Sequence, residues 1–138
     1  MKEFRAIIES GNLDGLADLF AEDVVFRSPV AFKPYEGRAI TAAIIRGVSR
    51  VFTDFRYVRE LASDPSTGSG GERSSVLVFE TFVDGVSTNG IDLIQLNDEG
   101  LISELTVMVR PLSAANALAA AMGAQFDQIV AEASGETA

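Results

Sequence analysis

Gly90-Ile91-Asp92-Leu93-Ile94-Gln95-Leu96 is an extended apolar run closed by the turn Asn97-Asp98-Glu99-Gly100, and it carries one carboxylate, Asp92. A carboxylate in a strand otherwise fit for burial is costly unless it is paired or neutral. Asp92 therefore marks either a pocket or a solvated strand end. Working outward, Ser75 to Val83 reads as a strand joined to this run through the turn Asp84-Gly85. On the other side, Ile102 to Arg110 follows the Glu99-Gly100 turn and stops at Pro111. Phe55, Tyr57 and Val58 belong to a further strand reaching about Leu61. Val76-Leu77-Val78-Phe79-Glu80-Thr81-Phe82-Val83 is apolar on both faces, so both faces need cover. Helices supply one cover, and a second copy of the same sheet supplies the other most simply.

The helices lie on either side of these strands. Phe4, Ile7 and Ile8 share one helical face, and Gly11 is placed to end that helix. Leu13, Leu16, Leu19 and Phe20 predict a second short helix capped by Asn12. Asp23 to Ser28 reads as a strand closed by Pro29, and residues 30–37, with Pro34 and Gly37, as a loop. Ile40, Ile44, Val48 and Val51 or Phe52 predict a helix from about Arg38 to Phe52. Leu118, Met122, Phe126 and Ile129 or Val130 predict one C-terminal helix over 113–130. Asp64 to Gly71 reads as a flexible linker too short to separate domains, so residues 1–131 form a single domain and 132–138 a disordered tail. The class is α+β, with helices collected on one face of a curved sheet.

Composition bounds the chemistry. The 138 residues suffice for a real core, and 47% hydrophobic with 22% charged residues is the balance of a soluble globular protein. No apolar run approaches the roughly 18 residues that span a bilayer, and no signal peptide opens the chain, so a cytoplasmic protein is expected. With no cysteine and no histidine there is no disulfide, no thiolate metal site, no Cys nucleophile and no Ser-His-Asp triad. No metal or other cofactor is expected, since carboxylates do not cluster in the sequence and Lys33 to Arg38 lacks a glycine cluster suited to phosphate. A formal charge of −9 argues against nucleic acid or an anionic membrane as partner.

Three strings, in order and spacing, resemble the NTF2-like superfamily, in its SnoaL-like and ketosteroid-isomerase-like branches. They are Leu19-Phe20-Ala21-Glu22-Asp23-Val24-Val25-Phe26, Ser28-Pro29 through Pro34-Tyr35-Glu36-Gly37-Arg38, and Gly90-Ile91-Asp92 through Gly100-Leu101-Ile102. The resemblance implies a cone-shaped cavity between a curved antiparallel or mixed sheet and N-terminal helices, a C-terminal helix and, usually, a dimer. Asp92 matches the buried aspartic acid of ketosteroid isomerases, which stays protonated there and donates to a developing oxyanion. The general-base position of that branch holds Ser28, and the tyrosine donor of its first helix falls on Phe4. Two of three catalytic positions are therefore replaced, and no appreciable 3-oxo-Δ5-steroid isomerase activity is expected. The acidic pattern of limonene epoxide hydrolases, which would fall near Glu80 to Phe82 and Val107, is missing as well.

The resulting expectation is a protein that binds a small hydrophobic molecule in an apolar pocket and dimerises through its sheet. Asp92 is the candidate catalytic group, for proton transfer on a carbonyl compound; the alternative is a non-catalytic binding or dimerisation module. Phe4, Phe26, Ser28, Phe32 and Tyr35 are candidate ligand contacts from the first half of the chain. Phe55, Ile94, Val107, Val109 and Met122 are those from the second. Glu80 would form an acid pair with Asp92 if both faced inward, but a solvent-facing Glu80 is the simpler reading. Arg27, Glu104 and Arg110 are read as structural or surface ion-pair residues.

Overall fold

The Asp84-Gly85 turn sets the geometry of the whole sheet. Both residues take left-handed φ, 49° and 79°, as a two-residue hairpin turn requires. From it β4 (Arg73–Val83) and β5 (Val86–Leu96) pair without interruption, from Val83 opposite Val86 to Arg73 opposite Leu96. The strand around Asp92 is thus longer than expected: Ser87, Thr88 and Asn89 look like loop residues but are carried into the ladder by the register of the turn. In a computed structural model describing residues 2–63 and 73–135, six strands form one mixed, curved sheet in the order β2-β1-β6-β5-β4-β3. The expected linker over 64–71 lies outside the described residues.

Strand β6 (Ile102–Arg110) has the predicted bounds and pairs antiparallel with β5; β1 (Phe20–Arg27) joins it in parallel. Strand β2 (Tyr35–Glu36) interrupts the predicted loop, placed by the pairing of Tyr35 with Phe26, whose rings lie 6.4 Å apart. Strand β3 (Phe52–Ala62) takes the other edge, with two register shifts and a left-handed Asp54 at φ 51°. Bulges of this kind bend a strand and re-aim its side chains.

Helix α1 (Lys2–Ser10) ends as predicted at Gly11, φ 76°. The second predicted helix is instead a single 3-10 turn, Leu16–Leu19, and Phe20 already opens β1. Gly15 at φ 85° precludes an earlier start, and Asn12 caps a local turn, its Oδ1 accepting the Asp14 N–H at 3.0 Å. Helix α2 (Arg38–Val51) matches its apolar stripe. The C-terminal helix breaks at Gln125 into α3 (Leu112–Ala124) and α4 (Phe126–Ala133). The cause is a second docking surface. The Gln125 side chain donates to Gly47 O at 2.7 Å, Arg50 reaches both Gln125 and Glu132 at 2.8 Å, and Ile129 packs where Gly47 has no side chain. Glu132 and Ala133 are thus helical rather than part of a tail, and residues 136–138 lie outside the described residues.

The helices cover the inner sheet face, where Leu77, Phe79, Ile94, Leu105 and Val107 are buried together with Phe4 and Ile44. The outer face carries the alternate positions. Val78, Ile91 and Met108 stand in one row across three strands, with Val76 and Leu93 in the next.

Candidate active site

The polar heart of the molecule is one hydrogen bond. The Tyr57 hydroxyl donates to Asp92 Oδ2 at 2.6 Å, and both side chains are buried. Tyr57 comes from β3 and Asp92 from β5, two strands away. Asp92 lies opposite Leu77 and Val107, whereas Tyr57 lies opposite Phe79, one inward-facing position further along. The phenol therefore crosses the concave face diagonally. Gly90, opposite Phe79 on β5, makes this possible: a β-carbon there would collide with the Phe79 ring and stand 2.7 Å from Met108 O. The Phe79 ring fills that space and meets Tyr57 nearly edge-on, at 79° and 6.5 Å. Phe55, re-aimed by the β3 bulge, packs edge-on against Tyr57 at 4.9 Å and stacks on Phe52 at 5.8 Å.

Around this pair lies a cavity of about 320 Å³, between the inner sheet face and α1, α2 and α3. That is the small end of the range of small-molecule sites. Asp92, Phe4, Phe26 and Ser28 line it, as do Phe55, Val107 and Met122. Four other residues singled out in the sequence do not reach it. Phe32 is fully exposed on the loop after β1, where Ser28 Oγ accepts the Val30 N–H at 3.1 Å and Val30, itself exposed, borders the cavity instead. Tyr35 packs beside Phe26 from the edge strand. Ile94 faces inward but is sealed within the core, and Val109 packs against that core beyond Gly90. Glu80 points outward and pairs with Arg56 at 2.6 Å; Arg27 pairs with Glu104 at 2.9 Å on the same face. Arg110 donates to Asn89 at 3.1 Å.

The residue that sequence reasoning missed is Tyr57. Its strand has no clean alternation, since the bulges break the period, so no pattern said which face the phenol took. The available signal was a lone phenol between Arg56 and Arg59 in a strand starting with Phe52 and Phe55.

Burial pushes the Asp92 carboxyl up to about 7, and the Tyr57 hydrogen bond pulls in the opposite direction by stabilising the charged form. Tyr57 is raised well above the ordinary phenol range, first by burial and then by the neighbouring Asp92 charge, so it stays a donor. Near neutral pH the pair therefore holds a carboxyl poised between acid and base. Besides these two, the polar side chains at the cavity are Glu9, Ser28 and Ser49; no lysine or arginine among the described residues lines it. Among the described residues no three carboxylates converge to hold a metal ion.

A curved mixed sheet wrapped over helices, with a carboxylic acid facing the cavity between them, defines an NTF2-like α+β cone. The chain belongs to the SnoaL-like domain family, which it matches over residues 1–105. It is similar to a steroid delta-isomerase from Pseudomonas aeruginosa at 40% identity, covering 94% of this chain and 90% of that one, TM-score 0.84. A protein conserved in bacteria with a cystatin-like fold, from Silicibacter pomeroyi DSS-3, is 34% identical over 88% of this chain and 81% of its own, TM-score 0.77. The orange carotenoid protein of Anabaena (Nostoc) sp. PCC 7120, solved binding canthaxanthin, is alike in fold alone: 18% identity, 76% and 33% covered, TM-score 0.59. No curated protein matches the chain in sequence. No helix among the described residues is long and apolar enough to cross a membrane.

Proposed function

We propose that the cavity binds a small, largely apolar carbonyl compound and that Asp92, supported by Tyr57, catalyses proton transfer on it, chemistry of the isomerase or cyclase type. The observation that carries this reading is the buried Tyr57–Asp92 hydrogen bond in an otherwise apolar cavity. Protonated on Oδ1, Asp92 donates to the carbonyl oxygen of the bound molecule. As that oxygen gains charge, the proton moves toward it, and the carboxylate left behind keeps the Tyr57 O–H on Oδ2. The apolar walls strengthen each of these interactions by excluding water. The name of the Pseudomonas aeruginosa relative supports the isomerase class. Ser28 in the place of a base, its oxygen engaged by the Val30 N–H, favours a second reading as a non-catalytic binding module.

The two readings separate with 2-tetralone and its planar enol analogue 2-naphthol, titrated by tyrosine fluorescence or NMR. A site built for an enolate-like state binds the analogue at least about ten-fold tighter than the ketone, and Asp92→Asn abolishes the preference. Equal affinities, unchanged in the variant, would leave only the binding module.

A homodimer through the outer sheet face completes the proposal. The apolar rows of Val78, Ile91 and Met108 and of Val76 and Leu93 are flanked by Arg56–Glu80 on one side and Arg27–Glu104 on the other. Apolar centre and charged rim are the anatomy of a protein interface. Sedimentation at micromolar concentration should give twice the 14.7 kDa of the chain. Ile91→Lys should shift it to monomer, and a monomeric wild type would rule the assembly out.

A further inference from the structure

Glu9 is the other acidic residue bordering the cavity, at its solvent-facing rim in the last turn of α1, with its side chain 44% exposed. We propose that Glu9 is the proton acceptor that completes the site, removing a proton from the carbon next to the carbonyl held by Asp92; this rests on the carbonyl-binding reading above. Three observations single it out.

The first is elimination. Of the polar side chains lining the cavity, Tyr57 and Asp92 are bonded to each other, Ser28 Oγ is engaged in its own turn, and Ser49 Oγ donates to Arg46 O at 2.7 Å. Neither serine has a histidine or lysine beside it to act through. The second is placement. Arg5 Nε holds Glu9 Oε1 at 3.1 Å while its guanidinium carbon lies 5.7 Å from the centre of the Tyr57 ring, which sets the Glu9 carboxylate on the Tyr57 side of the cavity. The third is availability. Among the described residues Glu9 Oε2 makes no hydrogen bond, so Arg5 orients the group by one oxygen and leaves the other open. Glu3 on the same helix lines no part of the cavity, so mere membership of α1 does not confer this position.

The step balances without an oxidant or reductant. The α C–H bond breaks and its proton passes to Glu9 Oε2. The C–H electron pair becomes the C=C bond of the enol, and the carbonyl π pair moves onto oxygen, which takes the Asp92 proton. Reversal returns the ketone, and delivery of the Glu9 proton to a different carbon of a conjugated system is isomerisation. A positioned base of this kind contributes typically 10²–10⁴-fold.

The test follows α-deuteron incorporation into 2-tetralone in D2O by NMR, with affinity for 2-naphthol measured in parallel. Glu9→Gln should slow the catalysed exchange about 100-fold while naphthol affinity stays within about three-fold, and added formate should restore exchange in Glu9→Ala. A thermal melt confirms that these variants are folded. Exchange at the wild-type rate in Glu9→Gln would overturn the assignment of Glu9 and leave the Asp92–Tyr57 reading standing. A wild type that binds 2-naphthol but exchanges no faster than buffer would overturn both.

Discussion

Asp92→Asn is expected to raise the melting temperature at pH 8 and to leave it nearly unchanged at pH 4. The folded carboxyl titrates at about 7 and the unfolded one near 3.8. Below about pH 4 both states carry the proton, and burial of the neutral acid incurs no ionic penalty. As pH rises toward 7, the unfolded chain releases its proton while the folded chain retains it, so wild-type stability falls; above 7 the loss levels off. At about 1.4 kcal/mol for each pH unit that separates the two titrations, the full effect is of the order of 4 kcal/mol, as an upper bound. Asparagine has no such titration and still offers Tyr57 an acceptor. The difference between the two melting curves, taken from pH 4 to 9, isolates Asp92 from the other carboxylates, which titrate in both proteins. A difference that does not grow with pH would show Asp92 to be an ordinary solvated carboxylate. Turnover, where present, should fall at least about 100-fold in the same variant, since asparagine supplies no exchangeable acid. Gain of stability with loss of activity in one substitution marks a residue held for function.

Gly90→Ala is expected to do the opposite and damage both. The added carbon has two neighbours that yield poorly, the backbone carbonyl of Met108 and the ring of Phe79. Overpacking of this kind costs about 3 kcal/mol, near its usual upper range, because one obstacle is a strand held in the ladder on both sides. For a chain of this size that lowers the melting temperature by roughly 10 °C. Displacing Phe79 removes the ring against which Tyr57 rests, so the Tyr57–Asp92 bond should loosen and the preference for 2-naphthol disappear. Gly90→Ala combined with Phe79→Leu should recover part of the stability, the non-additivity expected of two side chains competing for one space. A Gly90→Ala protein melting within about 2 °C of wild type would mean that β5 and β6 separate easily at this point.

These two positions also show how far the sequence could be read. Asp92 was conspicuous because a charged residue broke an apolar run, and the resemblance to known cones placed it in a cavity. The bounds of β6 and α2 followed from a clean period and from Pro111 and Gly37 beside them. Features set by contacts distant in sequence were out of reach. The break at Gln125 depends on Gly47 and Arg50, more than seventy residues earlier. Strand β2 exists because Tyr35 finds Phe26, and two residues carry no periodicity. Tyr57 was hidden by the bulges that direct it inward, and nothing in the apolar spacing of α1 marked Glu9. Phe32 is exposed, and an aromatic residue in a loop beside a strand end says nothing of which way the turn rotates it.

The cavity draws its acid–phenol pair from strands and much of its remaining wall from helices. Asp92 and Tyr57 sit on β5 and β3 of a sheet locked by its own ladder, whereas Phe4 and Ile8 come from α1, Val48 from α2, and Leu118 and Met122 from α3. Under the proposed function the acid thus belongs to the sheet, while the base Glu9 and much of the wall that selects the ligand belong to the helices. Resizing the apolar helical side chains should change which molecules fit without disturbing the hydrogen-bonded pair, so under the proposed function the ligand can change while the acid–phenol pair stays.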